Sequence, residues 1–395
     1  MEAARVIAAL ARLVRDVGRA EDLAQDALVA ALEQWPETGI PDRPGAWLTT
    51  VAKRRAVDAI RREATLAGKV ELLGRELPET GELELPEPVP DDVLRLMFTA
   101  CHPVLRPEAQ AALTLKMLAG LTTDEIARAF LVPTPTMAQR IVRAKRTLAE
   151  AEVGFEPPGA DELAARLASV LAVVYLVFNE GYSATAGADL LRPALCEEAM
   201  RLGRILAALV PDEPEAHGLL ALMELQASRL PARTGPDGAI VTLFDQDRGR
   251  WDRLLISRGL AGLARAERLG GGAEPYAVQA AIAAVHARAR TPEETDWPRI
   301  AALYAVLARV APSPVVELNR AVAVSMADGP AAALELVDAL AGRLGGYHLL
   351  PSVRGDLLVK LGRPAEARAE FERAAALTAN ARERDLLLAR ARQSA

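Results

Sequence analysis

The sequence has few of the residues that build disulfide frameworks and metal sites. Only two cysteines, Cys101 and Cys196, and four histidines occur among its 395 residues. Neither cysteine has a second cysteine at the spacing of a metal site, and the adjacent residues Cys101 and His102 would rarely ligate one ion from a helix. The sequence therefore predicts no metal and no cofactor. Free cysteines fit a reducing, cytoplasmic compartment.

Aromatic residues are also scarce, at 4% of the chain, whereas 51% of its residues are hydrophobic, with alanine and leucine dominant. Such a composition favours helix packing over sheet packing, so an all-α fold is expected. The first residues, MEAARVIAALARLVRD, interleave charged and apolar side chains, which is typical of a helix and not of a signal peptide. No apolar run of membrane-spanning length is apparent, so no membrane partner is expected.

The chain lacks an overall excess of positive charge, since its formal net charge is −6. Any binding of nucleic acid must therefore depend on local basic surfaces. A phosphate-binding glycine loop and a nucleophile with a base at catalytic spacing are absent from the sequence, and His217, His286 and His348 are scattered. These features argue against an enzyme. His286 lies in an apolar segment and is expected in the core.

Residues 121–148 predict two short amphipathic helices joined by a tight turn. Thr122 and Glu125 match a capping box at the start of the first helix. Thr134 is expected to cap the second helix, with Pro135 at its first position. Apolar residues of the second helix recur at three- and four-residue spacing and face inward. Its outward polar residues are Thr136, Gln139, Arg140, Arg143, Lys145 and Arg146.

This outward face has the chemistry of a DNA-reading helix. An α-helix fits the major groove of DNA, where glutamine suits adenine and arginine suits guanine, while further cations lie near phosphates. The alternative is a solvated basic face on an ordinary helical hairpin.

A second basic helix is predicted over residues 46–62, where apolar residues for packing alternate with a stripe of cations. Stabilising a displaced DNA strand requires cations along its backbone and an aromatic side chain or a pocket for unstacked bases. The residues that offer such groups are Trp47, Lys53, Arg54, Arg61 and Arg62. Trp47 could instead belong to the core, as a tryptophan beside a leucine often does.

Three segments in this order resemble the extracytoplasmic-function (ECF) class of bacterial RNA polymerase sigma factors. They are GRAEDLAQDALVAALEQW, AWLTTVAKRRAVDAIRRE and the helix-turn-helix of residues 121–148. The resemblance implies a region 2 domain over residues 1–63, in which Asp22, Gln25 and Asp26 dock on the β′ clamp helices of core RNA polymerase. In the same domain, the segment beginning at Trp47 would melt and capture the minus-ten element.

The resemblance further implies a region 4 domain over residues 93–156, next to the β flap of the polymerase, whose helix-turn-helix reads the minus-thirty-five element of promoter DNA. Most members of the class have a glycine in the turn of this motif, whereas this chain has the sequence Phe-Leu-Val-Pro up to Pro133. Between the two domains, residues 64–92 are rich in glutamate and proline, which predicts an acidic, flexible linker.

Residues 157–395 exceed the length of most ECF sigma factors and resemble the subgroup with a C-terminal tetratricopeptide-like extension. An internal repeat of 34 residues, the tetratricopeptide period, supports this interpretation. The repeat consists of the positions Ala321, Pro330, Ala333 and Val337, which recur as Gly355, Pro364, Ala367 and Phe371.

Polar and aromatic clusters in this extension are candidates for a groove that binds a peptide, a regulator or a small ligand. The candidate residues are Asn179, Glu180, Tyr182, Asp245, Gln246, Asp247 and Trp251. The alternative is that they cap helices and form hydrogen bonds between helices.

The sequence thus predicts two small helical sigma domains followed by a helical-repeat domain that controls activity. The expected function is to direct core RNA polymerase to promoters and to initiate transcription. The alternative is a helix-turn-helix regulator with a tetratricopeptide scaffold that binds a peptide. That alternative gives the region 2-like motif no role, and no dimerisation heptad is visible in the sequence.

Overall fold

The computed structural model describes residues 2–66, 90–130, 132–155, 158, 160–184 and 186–394. It is 76% helical, which confirms the all-α prediction. The chain divides into two compact units, Met1–Val174 and Tyr175–Ala395. The predicted acidic linker lies mostly outside the described residues, because residues 67–89 are not among them.

The N-terminal unit begins with three helices that pack against one another: α1 (Glu2–Val14), α2 (Val17–Thr38) and α3 (Pro44–Leu66). The first helix ends at Val14. Arg15 adopts a left-handed backbone with a φ of 53°, and Asp16 then caps α2 by accepting a hydrogen bond of 2.8 Å from the Arg19 N–H. A side-chain cap of this kind satisfies one of the free amides at a helix start.

A second group of helices contains the predicted DNA-reading motif. Its members are α4 (Pro90–Ala100), α5 (Pro107–Thr114) with a π-helical turn (Leu115–Ala119), α6 (Thr123–Ala129) and α7 (Thr134–Glu150). Helix α1 packs against α4 and against the π-helical turn, while α2 contacts α7. Ile7 and Leu10 of the first group and Leu96, Met97 and Met117 of the second are all fully buried. The two predicted sigma domains therefore share one compact unit.

Helix α8 (Ala160–Tyr182) contains the division between the units. Its residues Glu162–Tyr182 have a mean hydropathy of 1.6, so among the described helices this one could span a membrane by length and composition. The expectation that no apolar run reaches that length is therefore corrected. Val170, Val173 and Val177 are nevertheless buried in protein, and a core helix of a soluble protein passes the same test.

The C-terminal unit is a succession of helices in which sequence neighbours pack together. They are α9 (Pro193–Leu209), α10 (Pro214–Ala227), α11 (Arg253–Arg268), α12 (Pro275–Arg288), α13 (Trp297–Val310), α14 (Pro314–Ala327), α15 (Pro330–Ala339), α16 (Ala341–Leu344), α17 (Leu349–Lys360), α18 (Pro364–Leu377) and α19 (Ala381–Gln393). Proline at the first or second position begins many of them, since its fixed φ suits a helix start.

The internal repeat corresponds to two helix pairs, α14 with α15 and α17 with α18. Pro330 and Pro364 begin the second helix of each pair. A Cβ on Gly355 would lie 2.7 Å from Cε1 of Phe371, so this close approach requires glycine. The repeat is therefore a repeated helix pair with a small residue at the contact. Its assignment to the tetratricopeptide class stays a prediction.

The beginning and the end of the C-terminal unit are joined. A two-residue strand, β1 (Ala186–Gly187), pairs in parallel with β2 (Ala379–Asn380). The buried amide of Asn380 donates hydrogen bonds of 3.0 Å to the carbonyl oxygens of Ala184 and Asp189. In an open solenoid each repeat contacts only its neighbours, so this contact distinguishes the unit from a simple open array.

Candidate nucleic-acid interface

The first helix of the predicted DNA-reading motif starts with the expected capping box. Glu125 Oε2 accepts a hydrogen bond of 2.8 Å from the Thr122 N–H, and the Glu125 N–H donates to Thr122 Oγ1 at 3.2 Å. Two amides at the start of α6 are satisfied in this way. The local signal in the sequence therefore predicts the start of α6 correctly.

The start of the second helix differs from the prediction. Thr134 is the first residue of α7, and Pro133, which precedes it, forms no side-chain cap. The hydroxyl of Thr134 instead donates a hydrogen bond of 2.7 Å to Asp124 Oδ1 on α6. Thr134 therefore links the two helices of the motif. Leu131, in the turn without glycine, lies outside the described residues.

The two faces of α7 follow the predicted periodicity, with one exception. Met137, Ile141, Ala144 and Leu148 are buried. Thr136, Gln139, Arg143 and Arg146 are exposed, and Arg140 is partly exposed. The exception is Lys145, whose side chain is only 17% exposed.

Lys145 does not face outward as expected, because it binds the first helix group. Its Nζ lies 2.5 Å from Glu21 Oε2 and 2.7 Å from Asp22 Oδ1, both on α2. Burial opposes the charge of Lys145, but the hydrogen bonds to Asp22 and Glu21 outweigh it and raise the pKa of the ammonium group. A residue of the predicted DNA-reading helix thus binds residues of the predicted polymerase-binding helix.

Glu21 is the centre of this contact. Its side chain is 2% exposed, and Lys116 Nζ on the π-helical turn approaches its second oxygen to 3.7 Å. A buried carboxylate requires positive partners, and here two lysines from the second helix group supply them. Neither lysine was predicted to pair with Glu21. The signal that could have indicated Lys116 is a lone lysine in the apolar segment LTLKMLAG.

The predicted polymerase-binding residues lie on one helix, α2, beside this contact. Asp22 is 72% exposed although it pairs with Lys145, so part of its carboxylate remains accessible. Asp26 is exposed and lies 3.5 Å from Arg55 Nη1 of α3. Gln25 is partly exposed between them. The structure therefore brings the three residues together on an accessible stripe.

On α3, the predicted strand-capturing residues have mixed surroundings. Trp47 is neither fully buried nor free, since its ring packs edge-to-face on Trp35 with centroids 5.4 Å apart. Arg54 is exposed and Lys53 is partly exposed. The side chains of Arg61 and Arg62 lie outside the description. A half-buried Trp47 is compatible with packing against the core and with stacking on an unpaired DNA base.

Most of the candidate residues of the C-terminal unit form contacts with other residues of the same unit. Glu180 pairs with Arg192 at 2.6 Å, and the Tyr182 ring stacks on Phe178. Asp245 accepts a hydrogen bond from Thr242, buried Gln246 donates to the Val241 carbonyl, and Asp247 caps the turn Arg248–Arg250. Trp251 is buried in the core, whereas Asn179 is exposed. These contacts match the alternative of caps and interhelix hydrogen bonds.

A group of arginines close to these residues was not anticipated from the sequence. The guanidinium of Arg233 lies 3.7 Å from the centroid of Tyr182, and that of Arg248 lies 5.0 Å from the centroid of Trp251. Arg229 faces both rings, at 5.7 and 5.9 Å. Cations over aromatic faces are attracted by the ring quadrupole. Tyr182 and Trp251 thus contact a basic group, which we call the arginine cluster (Arg229, Arg233 and Arg248). Arg248 is buried, and Arg229 and Arg233 are partly buried.

Within the described residues, no group of three or more histidine, cysteine or acidic side chains could hold a metal ion. Cys101 and Cys196 are free and buried, and burial raises the pKa of each thiol to about 12. A thiol of such a high pKa stays protonated and is a poor nucleophile.

Comparisons with known proteins match three successive parts of the chain. Residues 2–65 match Sigma-70 region 2, and residues 95–148 match Sigma-70, region 4. Residues 166–267 match a family of unknown function, DUF6596. An uncharacterised protein of Rhizobium meliloti (strain 1021) is 47% identical over 386 residues, which cover 96% of this chain and 90% of that protein.

The two sigma-70 matches coincide with the two helix groups of the N-terminal unit, the first with α1 to α3 and the second with α4 to α7. They support a role in transcription initiation, with core RNA polymerase and promoter DNA as partners. The chain therefore belongs to the same family as the Rhizobium meliloti protein, and it combines Sigma-70 region 2 and region 4 domains with a C-terminal domain of the DUF6596 family.

Proposed function

We propose that this protein is a cytoplasmic sigma factor of the ECF type, which directs core RNA polymerase to specific promoters. The observation that carries the proposal is the combination, in one chain, of two surfaces. They are the accessible stripe on α2, formed by Asp22, Gln25 and Asp26, and the exposed polar face of α7. In this role Asp22, Gln25 and Asp26 dock on the polymerase. The polymerase forms the phosphodiester bonds, so the chain itself needs no catalytic group.

The promoter contacts come from two helices. On α7, Gln139, Arg140 and Arg143 read the minus-thirty-five element, while Thr136 and Arg146 lie toward the backbone. On α3, the cations near Trp47 follow the backbone of the displaced strand. Arg146 pairs with Glu150 at 3.0 Å, but both side chains are largely exposed, so this pair is weak and exchanges readily for a phosphate.

This role requires the two helix groups to separate. The minus-ten and minus-thirty-five elements are centred about 25 base pairs apart, which is roughly 85 Å of duplex at about 3.4 Å per base pair. The salt bridge between Lys145 and Glu21 cannot persist across that distance. We therefore infer that the closed arrangement, in which Lys145 holds Glu21 and Asp22, is the free form and that the polymerase-bound form is open.

The closed arrangement also withholds groups that the open form uses. Asp22 is a predicted polymerase contact and Lys145 a predicted DNA contact, and in the closed form each is paired with the other. Core polymerase and promoter DNA must therefore compete with an internal salt bridge. The C-terminal unit, with its tetratricopeptide-like helix pairs, is proposed to control activity by shifting the balance between closed and open forms.

Transcription from purified components tests the proposal. The full-length chain is added to core polymerase on a library of genomic fragments, and transcripts are mapped. Discrete start sites that appear only with the chain are expected. Arg143→Ala should reduce their yield, whereas Arg368→Ala, an exposed arginine on α18, should not. Specific DNA binding without polymerase and without any transcript would favour the helix-turn-helix regulator instead.

Control by the C-terminal unit is tested separately, with a chain that ends at residue 174, the boundary of the N-terminal unit. Circular dichroism first establishes that its helices are retained. Promoter-dependent transcription by this chain should then differ from that of the full-length protein. Equal activity and equal promoter occupancy would contradict control in cis.

A further inference from the structure

A cavity of about 230 Å³ lies in the C-terminal unit, where α10, α12, α13 and α14 meet. Its polar lining comes from Gln226, Arg229, His286, Tyr304 and Asn319. The rest of the lining is apolar and includes Trp297 and branched aliphatic side chains. For scale, an apolar cavity of about 150 Å³ in another protein holds benzene. The cavity therefore has room for one aromatic ring with a short polar substituent.

The electrostatic surroundings of this cavity are positive. Within the described residues, no carboxylate forms an ion pair with Arg229, Arg233 or Arg248, and none lines the cavity. Arg229 instead donates to the Gln226 side chain, and Arg233 donates to the Tyr182 carbonyl. Burial and Arg229 lower the pKa of both Arg233 and Arg248, while Glu383 acts in the opposite direction on Arg233, and Glu293 and Glu294 do so on Arg248. In the cavity lining itself Arg229 is the charged side chain, and a cation without a carboxylate in the same lining favours the arrival of an anion.

Arg248 is fixed by the protein, whereas Arg229 is available to the cavity. The Arg248 guanidinium donates hydrogen bonds of 2.8 to 3.0 Å to the carbonyl oxygens of His286 and Ala289 and to the Thr295 hydroxyl. Of the arginine cluster, Arg229 alone lines the cavity. The cavity thus offers one cation, which matches a ligand with one negative charge.

His286 adds an unused hydrogen-bonding group at the same place. The residue is 8% exposed, and its Nδ1 has no hydrogen-bond partner within the described residues. Burial and the charges of Arg229 and Arg248 lower its pKa to about 3, so the ring is neutral at physiological pH. Its ring lies edge-on to Trp297 with centroids 5.3 Å apart. An unpaired polar atom at this depth is rare unless a ligand or another group completes it.

We infer that this cavity binds a small organic carboxylate with a flat apolar body. The carboxylate pairs with Arg229, and the body packs against Trp297 and Ile300. Asn319 and Tyr304 supply further hydrogen-bonding groups that orient the ligand. This inference goes beyond the proposed function and requires neither polymerase nor DNA. A failure of ligand binding would therefore leave the transcription test unaffected.

Binding is measured on the purified full-length chain by calorimetry and by thermal unfolding. The probes are phenylacetate, its neutral isostere phenylacetamide, and acetate, which lacks the apolar body. A ligand of this size is expected to bind in the millimolar range or tighter, so each probe is titrated to about 10 mM. Phenylacetate should raise the unfolding temperature. Phenylacetamide and acetate should each bind at least about tenfold more weakly, because each lacks one of the two recognised groups.

Three variants assign the binding to the cavity. Arg229→Gln should abolish the preference for phenylacetate over phenylacetamide. Ala283→Leu fills the cavity without changing its charge and should abolish binding of both, and it decides the question if the first variant fails to fold. Arg268→Gln, an exposed arginine on α11, should bind like the wild type. Equal binding of acid and amide, binding undiminished in Ala283→Leu, or no binding of any probe would overturn the inference.

Discussion

Arginines serve opposite purposes in the two units of this protein. On α7, Arg143 and Arg146 are exposed on a helix whose other face forms the core of the N-terminal unit. In the arginine cluster, Arg229, Arg233 and Arg248 lie against Tyr182 and Trp251. Backbone carbonyls accept hydrogen bonds from Arg233 and Arg248, and the Gln226 side chain accepts one from Arg229. The first group is accessible from outside, and it is the group proposed to contact DNA. In the second group Arg248 is held within the fold by three hydrogen bonds, while Arg229 lines the cavity.

The charge of a residue therefore says little about its role until its counter-charge is known. Lys145 illustrates this on α7 itself, two positions after Arg143. Its side chain reaches the buried Glu21 and the exposed Asp22, so one cation of the predicted DNA-reading helix is occupied within the protein. Structural cations are expected to affect folding when removed, whereas exposed ones are expected to affect binding.

The largest effect on stability should come from Arg248→Ala. Arg248 is 6% exposed, and its loss leaves three hydrogen-bond acceptors in the interior without their donor. Each buried acceptor that is left unsatisfied costs about 1–3 kcal/mol. Arg250→Ala, in the same short turn but exposed, should change stability by less than about 0.5 kcal/mol. Urea unfolding of both variants checks this, and equal midpoints would remove the distinction.

Arg143→Ala should show the converse pattern. Promoter binding by the polymerase complex should weaken by about 1–3 kcal/mol if the side chain reads a base, because a specific contact to a base edge is lost. The urea midpoint of the free chain should not change, since the residue is exposed. Affinities measured at several salt concentrations separate base contacts from phosphate contacts, because only loss of a phosphate contact reduces the salt slope. Wild-type affinity at every salt concentration would exclude Arg143 from the interface.

Acid should weaken the C-terminal unit through His286. Its pKa of about 3 in the folded protein lies below the usual value of 6.5, so the unfolded chain binds the proton more readily. The stability that this residue contributes is therefore present above about pH 6.5 and is lost as the pH falls toward 3. Between pH 7 and pH 5 the loss amounts to about 2 kcal/mol.

His286→Gln provides the matched test, because glutamine keeps a neutral hydrogen-bonding group. Unfolding free energies at pH 7 and pH 5 should differ less for this variant than for the wild type. An identical pH dependence in the two proteins would show that His286 is not the responsible group.

The smallest effect on stability should come from the capping box of α6, the helix that precedes α7 in the motif. Glu125→Ala removes the carboxylate that accepts from the Thr122 N–H and should destabilise α6 by about 1 kcal/mol. Amide exchange in α6 should become faster, while exchange in α12 of the C-terminal unit should not change. Glu150→Ala, at the far end of α7, serves as the control. If Glu125→Ala leaves exchange in α6 unaltered, the capping box does not stabilise this helix.

The helices of the predicted DNA-reading motif and the exposed face of α7 could largely be predicted from sequence, whereas the buried contacts of α7 with α2 could not. Thr122 and Glu125 are three residues apart, and the apolar positions from Met137 to Leu148 follow the helical period, so local rules suffice for them. The closed arrangement depends on Lys145 and Glu21, which are 124 residues apart, and no local pattern joins them. The start of α7 was missed because Thr134 bonds to Asp124 on another helix rather than to its own backbone.

In the C-terminal unit, too, local features could be predicted from sequence, whereas contacts between distant residues could not. The 34-residue repeat correctly indicated two helix pairs, because small and large residues recur at their contacts. Of the residues predicted there for a groove, Asp247 caps a turn and Trp251 lies in the core, while the cavity is lined mainly by residues from four other helices. Arg229 and His286 are 57 residues apart in sequence and meet only through tertiary packing. Single-sequence patterns carry no information on such a meeting.

We infer that α7 leaves α2 when the protein initiates transcription, and the distance between these two helices can be measured directly. Cysteines introduced as Glu33→Cys on α2 and Glu150→Cys on α7 take a pair of dyes, and the buried native thiols, with pKa values near 12, do not compete. Energy transfer should be high in the free chain. On assembly with core polymerase and promoter DNA it should fall to the level expected beyond roughly 50 Å, given the spacing of the two promoter elements. Unchanged transfer in a complex that makes transcript would contradict the account.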